Sequence, residues 1–345
     1  MAIMRIEQAC ESRLFKLGSW FRNLSLPGVV LLALASSCLA QGTEPLDTIR
    51  IDSDLVNLQV SVLSHDPAKL PDALQQKDFL VFDDGVPQEI SFFAAADAPF
   101  DLVLLLDLSG STANKLKLIR KSSKRFVEAS RPLDRIAIIT FTEELQIVSP
   151  LTSDHKELLH AIDDIEKPSG GTKYWDAMRY VLESVVRPRQ TSRRSAVVVM
   201  TDGVDNALPD VEGEGSRTTF EELLNIARHS DAVIFPVFLD TEEEEVRRHR
   251  TPPSAYVTAR AQLDQLAEVS GTVVRRANKL TDLESVYDQI IRDLGTVYSI
   301  GYRPANNARD GKWHKVGVGL VNHTELGAHT RSGYFARSLL SRSPN

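Results

Sequence analysis

Cysteine is almost absent: Cys10 and Cys38 are the two present in 345 residues, and a chain beginning at Gln41 would hold none. Such a chain has no disulfide framework and no thiol chemistry, so its stability has to come from a buried core. The 8 histidines show neither clustered metal-ligand spacing nor the spacing of a catalytic triad. His155 and His160, five apart on a predicted helix, read as surface residues. The phosphate-cradling P-loop and the dinucleotide glycine fingerprint are missing as well. So is an excess of positive charge: 40 Lys and Arg against 47 Asp and Glu leave a net charge of −7. The basic residues are spread among acids, which argues against a nucleic-acid partner held through its phosphates. What remains is ordinary, since 42% hydrophobic and 25% charged residues place the chain among globular proteins. There is room for one large domain and a smaller one.

Residues 1–40 differ from the remainder. Arg5, Arg13, Lys16 and Arg22 precede "LPGVVLLALASSCLA", an apolar stretch too short to span a bilayer comfortably and ending in small residues. This predicts a secretory signal peptide over 1–40, cleaved after Ala40. Two alternatives stay open: acylation of Cys38 within the lipobox-like "LASSC", where Ala35 stands in the usual Leu position, and an uncleaved N-terminal anchor. The protein is therefore expected to be exported, whether periplasmic, outer-membrane-associated or extracellular. It would touch a membrane only through this segment or a lipid on Cys38.

Three further regions follow. Over 47–98 the pattern has the period of strands: "LVNLQVSV" puts Val56, Leu58, Val60 and Val62 on one face and Asn57, Gln59 and Ser61 on the other. Asp84-Gly85 within "FLVFDDGVPQEISFF" marks a hairpin between two strands. Over 100–294, apolar runs such as "DLVLLLDLS", "RIAIITFT", "AVVVMTDG" and "AVIFPVFLD" alternate with amphipathic helical segments. Strands apolar on both faces, each followed by a helix, predict an α/β domain with a doubly wound, mainly parallel sheet. Its ligand crevice should lie beyond the carboxyl ends of the strands. Over 295–337 the period returns to two, and the two terminal strand sets, each too small to close a core, are expected to pair into a small β-sandwich. The charged stretch "DTEEEEVRRHRTPPSAYV", 240–257, reads as a solvated loop.

Chemistry concentrates at the strand ends. The first apolar strand of the α/β region ends in Asp107-x-Ser109-x-Ser111, with Gly110 expected to allow a tight bend; a later one ends in Thr201-Asp202-Gly203; and "SGGTKYWDA" places Thr172 at a glycine-rich helix start. Each piece alone is a common turn or helix cap. Together, carboxylate and hydroxyl oxygens without His or Cys suit a hard divalent cation such as Mg²⁺ and make zinc a poor fit.

In that order and at those places the five residues resemble the metal-ion-dependent adhesion site of the von Willebrand factor A domain. The resemblance covers about 100–294. The flanking "DFLVFDDGVPQEISFF", "YSIGYRP", "DGKWHKVGV" and "RSGYFA" are similar to the acidobacterial-type, exported VWFA-related proteins. It implies that Asp107, Ser109 and Ser111 bind the ion directly or through water, that Thr172 joins in the ligand-bound arrangement, and that Asp202 acts often through water. Mn²⁺ or Ca²⁺ could replace Mg²⁺. Asp176, four residues after Thr172, would be a second-shell acceptor or a favourable acid in the first helical turn; Tyr174 would line the partner surface. After Ser111 the sequence "TANK" lacks the paired acids that create an adjacent cation site in integrin β-type domains, so no second ion is expected there.

The implied function is a non-enzymatic, Mg²⁺-dependent protein-binding module of the cell envelope or exterior, its ion completed by an Asp or Glu of a partner protein. One alternative is an envelope scaffold whose metal is structural. The other is a metal-assisted hydrolase, which would need a general base or nucleophile beside the ion.

Overall fold

The structure, a computed structural model, describes residues 55–64, 73–95, 98–166, 170–186, 193–248, 251–277, 282–306 and 310–336. The signal-peptide reading of 1–40, with Cys10, Cys38 and Ala40, lies outside the described residues. Among those described, no helix is long and apolar enough to cross a membrane.

The central sheet takes its order from buried apolar strands. It contains β5 (Phe100–Asp107), β6 (Arg135–Phe141), β7 (Leu145–Thr152), β8 (Arg194–Thr201), β9 (Val233–Leu239) and β10 (Arg275–Ala277). Their order across the sheet is β10-β9-β8-β5-β6-β7, parallel throughout except for the antiparallel edge pair β6 and β7. Every residue of β5 and of β9 is buried, as strands covered on both faces require. Alternation along β5 sends Val103 and Leu105 into one core and Leu102, Leu104 and Leu106 into the other.

Helices close both faces. α1 (Leu116–Ala129), α2 (His155–Asp163) and α7 (Leu283–Leu294) pack Phe126, Leu158 and Ile290 over the second core. α3 (Tyr174–Tyr180), α4 (Phe220–Arg228) and α6 (Pro253–Ser270) pack Met178, Leu223 and Leu263 over the first. Their ends are written locally. Thr219 and Glu222 form a capping box at the start of α4, while α6 begins on Pro253 and ends at Gly271, whose φ of 76° is the left-handed stop that favours glycine.

One stretch departs from expectation. The described residues within 240–257 are not a solvated loop: α5 (Glu242–Arg247) and the start of α6 occupy most of them. The same charges that suggested solvation sit in helical register, with ion pairs between Glu243 and Arg247 at 2.5 Å and between Glu244 and Arg248 at 2.7 Å. Four acids in the first turn also suit the positive end of the helix.

The terminal strands pair across the α/β domain as the sequence predicts. β1 (Val56–Ser64), β11 (Val297–Tyr302), β4 (Ile90–Ala94) and β13 (Leu326–His329) form one antiparallel sheet in the order β13-β1-β11-β4. β2 (Phe79–Asp83), β3 (Val86–Gln88), β12 (Trp313–Leu320) and β14 (Gly333–Phe335) form the other, in the order β14-β12-β2-β3. Leu58, Val60, Ile300 and Tyr302 from the first meet Phe79, Val81 and Val316 from the second in one core. Asp84 and Gly85, with φ of 47° and 81°, make the tight hairpin between β2 and β3. The stretch expected to give two strands gives three, because Glu89 separates β3 from β4 and the chain passes from one sheet to the other there.

Candidate metal centre

β5 runs out at Asp107 in the middle of the sheet, between β6 and β8. The chain then folds on itself: the Ser109 amide donates to Asp107 Oδ1 at 2.9 Å, and the Thr112 hydroxyl donates to the carbonyls of Asp107 and Ser109 at 3.1 and 2.9 Å. A short 3-10 helix, Gly110–Lys115, leads into α1. Gly110 is not among the residues with positive φ, and an added Cβ would meet the Gly170 carbonyl at an ordinary 3.5 Å, so the bend does not depend on glycine. At Gly171 it does matter: a Cβ would lie 2.5 Å from Asn206 Nδ2.

Four of the five sequence-predicted residues form one connected network. Asp107 is joined to the Ser109 amide, the Ser109 and Ser111 hydroxyls are 3.2 Å apart, and the Ser111 hydroxyl donates to Asp202 Oδ2 at 2.8 Å. Thr172 lines the same crevice, of about 450 Å³, together with Ser109, Ser111 and Asp202. It is fixed by reciprocal bonds with Asn206, its amide donating to Asn206 Oδ1 at 3.1 Å and its carbonyl accepting from the Asn206 amide at 3.0 Å.

Two expectations are corrected. Tyr174 is fully buried, its ring 6.0 Å from that of Phe141, and cannot meet a partner; two residues beyond the crevice-lining Thr172, the first turn of α3 carries it into the core. Asp176 does not support the five residues: its carboxylate accepts from the amides of Arg217 and Thr218, both at 2.9 Å, anchoring that loop to α3. Burial acts against its charge, but these bonds and that of the Thr218 hydroxyl hold its carboxyl below the usual range.

The supporting roles fall to residues that the sequence reading passed over. The Thr201 hydroxyl donates to Asp107 Oδ2 at 2.6 Å and the Thr241 hydroxyl to Asp202 Oδ2 at 2.7 Å, with Tyr256 Oη 2.9 Å from Thr241 Oγ1. Buried Asp205 accepts from the Trp175 amide at 3.0 Å and from the Ser216 hydroxyl at 2.6 Å, tying the loop after β8 to the start of α3. Glu143 Oε1 accepts from the Gly171 amide at 2.9 Å. Thr201 and Asp205 flank Asp202 in "TDGVDN", a local signal that could have been read; Thr241 gave none.

The electrostatics define what the crevice can hold. Asp107 and Asp202 are 0% and 2% exposed, and burial first, then the charge of Asp202, pushes the Asp107 carboxyl up to about 7. The Lys115 ammonium is engaged elsewhere: its Nζ donates to the Ser111 carbonyl at 3.3 Å and lies 4.0 Å from Glu244. Burial lowers the Lys115 pKa against the pull of Glu244 and Asp202. Negative charge thus exceeds its local compensation in an all-oxygen set, which fits a hard divalent cation and gives nothing for a soft one.

A doubly wound sheet with acids and hydroxyls gathered at the carboxyl ends of its central strands defines an α/β domain with a polar crevice at that edge. Residues 101–289 match the von Willebrand factor type A domain, and the chain belongs to that family. An uncharacterized protein of Borreliella burgdorferi is 22% identical over 151 residues, 42% of each chain, so the present chain spans less than half of that relative. Among solved structures, the vWF domain of the type V pili tip protein Mfa5 from Porphyromonas gingivalis is 14% identical, with 56% of this chain and 94% of that one covered at a TM-score of 0.43. The proximal thread matrix protein 1 of the mussel byssus, with a zinc-occupied MIDAS motif, is 14% identical over 58% of this chain and 48% of that one, at a TM-score of 0.41.

Proposed function

We propose that the crevice holds a divalent ion, Mg²⁺ or in its place Mn²⁺ or Ca²⁺, and uses it to bind an acidic side chain of a partner protein. Asp107, Ser109, Ser111, Thr172 and Asp202 would hold the ion, directly or through water, in the manner of an intact metal-ion-dependent adhesion site. The ion would supply an electrophilic anchor for an Asp or Glu carboxylate. What the chain itself does is separable from that. Thr201 and Thr241 orient the two acids, Asn206 and Glu143 fix the loop carrying Thr172, and the open crevice leaves space for the incoming group.

The observation that carries the reading is the convergence of two buried acids and two serine hydroxyls from separate strand ends on one network. With the signal-like residues 1–40, this describes an exported adhesion or protein-interaction module of the cell envelope or exterior, of the VWFA-related bacterial type that its flanking strands resemble.

The test is capture of partners from envelope extract by the purified chain in Mg²⁺, in EDTA, and with Asp107→Ala. Partners retained in Mg²⁺ and lost in both other arms support the proposal. Equal capture in all three refutes it, and equal capture combined with lower thermal stability in EDTA would identify a scaffold with a structural ion.

A further inference from the structure

The β-sandwich gathers titratable groups at one edge, away from the crevice. β2 ends in Asp83, the following turn begins with Asp84, and His314 belongs to β12, the strand paired with β2. His314 Nδ1 is 2.9 Å from Asp84 Oδ2 and 3.6 Å from Asp83 Oδ1, and Nε2 is 3.3 Å from Asp310 Oδ1. One ligand atom on each of Asp83, Asp84 and His314 lies within 4.8 Å of the others.

Asp83 is the informative member. Its side chain is 2% exposed, and Oδ2 accepts from the hydroxyls of Tyr302 and Tyr334, each at 2.9 Å. Its Oδ1 is buried and makes no hydrogen bond. A carboxylate oxygen kept from water without a donor is costly unless positive charge sits against it, and this one faces the His314 nitrogen.

We propose that Asp83, Asp84 and His314 form a second divalent-metal site, suited to a first-row transition ion such as Zn²⁺. Zinc takes nitrogen and carboxylate ligands at about 2.0–2.2 Å in a tetrahedron, which sets ligand-to-ligand edges of roughly 3.3 Å. The separations of 2.9 and 3.6 Å lie on either side of that value. The outer contacts also match. The second nitrogen of a metal-bound histidine characteristically donates to a carboxylate, the position Asp310 holds, and the two tyrosines orient Asp83 from behind. The imidazole separates this site from the crevice, because nitrogen ligation favours zinc-like ions where an all-oxygen set favours magnesium. Asp84, with a side chain 49% exposed, leaves a path from solvent.

The consequence is architectural. Asp83 and Asp84 precede the α/β domain and His314 follows it, so an ion here would clamp the two terminal strand sets to each other.

The full-length chain carrying Asp107→Asn, which disables the crevice, is stripped with EDTA and titrated with Zn²⁺ by calorimetry while the unfolding temperature is followed. One bound equivalent and an upward shift in unfolding temperature are expected. His314→Gln and Asp84→Asn should each abolish both, and Asp310→Asn should weaken binding by roughly 10- to 100-fold. Asp84 is half-exposed in a left-handed turn that Asn accepts, so D84N remains readable if H314Q misfolds. Absence of Zn²⁺ binding in D107N, or binding that D84N and H314Q leave unchanged, overturns the proposal and leaves the cluster as a metal-free hydrogen-bonded network. Either outcome is independent of the crevice.

Discussion

Replacing Asp107 by Asn should make the metal-free protein more stable while removing its response to Mg²⁺. In the absence of an ion, the Asp107 carboxyl is pushed from 3.8 to about 7 by burial and by the neighbouring Asp202. At about 1.4 kcal/mol per pKa unit, the ionised form costs on the order of 4 kcal/mol. The sign follows from proton counts. Between these two values the folded chain binds more protons than the unfolded one, so stability falls as pH rises through that window and stays low above it. Asn removes the charge but not the hydrogen-bonding demand. The Ser109 amide and the Thr201 hydroxyl both donate to the carboxylate, and an amide can satisfy one of them unchanged, a loss of about 1–3 kcal/mol. A net gain of about 1–3 kcal/mol remains for D107N at pH 8 in EDTA. In Mg²⁺ the order should reverse, since a ligand at about 1,000 times its Kd adds about 4.1 kcal/mol to the wild type alone. Urea unfolding of both proteins, with EDTA and with Mg²⁺, measures this. A D107N protein less stable than wild type in EDTA would refute the claim that the two acids are in uncompensated conflict.

Tyr174 separates packing from recognition. Its ring is fully buried and its hydroxyl is without a hydrogen-bond partner, so Tyr174→Ala should cost about 3–5 kcal/mol in urea unfolding while Tyr174→Phe changes stability little. Asp205→Ala strands the Trp175, Ala207 and Ser216 amides and should cost roughly 3–5 kcal/mol in the same assay. Asp101 sets part of the acid limit. Burial opposes its charge, but Arg135 Nε at 2.8 Å and Arg193 Nε at 2.6 Å outweigh it and hold its carboxyl below the ordinary value. That stabilisation is complete above the unfolded pKa of about 3.9 and disappears as pH falls through the lower folded value. Asp101→Asn should therefore flatten the acid limb of a stability-against-pH curve, and an unchanged limb would exclude this ion pair as its cause.

The sequence carried the fold wherever burial is repetitive. The fully buried, apolar-rich β5 and β9 could only sit in a sheet covered on both sides, and the alternation of Val56, Leu58, Val60 and Val62 gave the buried face of β1 directly. The strand-end motifs were legible for a related reason, because turn chemistry is local. What escaped was long-range or depended on helical phase. Thr241 reaches Asp202 from 39 residues away, on a segment whose charges looked like a solvated loop. Asp176 and Asp205 are both acids near the motifs in sequence, and only the folded chain shows that the first anchors Arg217 and Thr218 while the second accepts from the Trp175 amide. Tyr174 stood two residues from Thr172 in sequence, yet the start of α3 turns one toward the crevice and the other into the core.

The central claim is that the strand-end crevice is a divalent-cation site, and a calorimetric titration of Mg²⁺ tests it most directly. The metal-stripped chain carrying His314→Gln, which removes the sandwich cluster as a competitor, is compared with the same chain carrying Asp107→Asn in addition. One Mg²⁺ bound by the first and none by the second is the predicted result. Equal binding by both, or none by either, would contradict it.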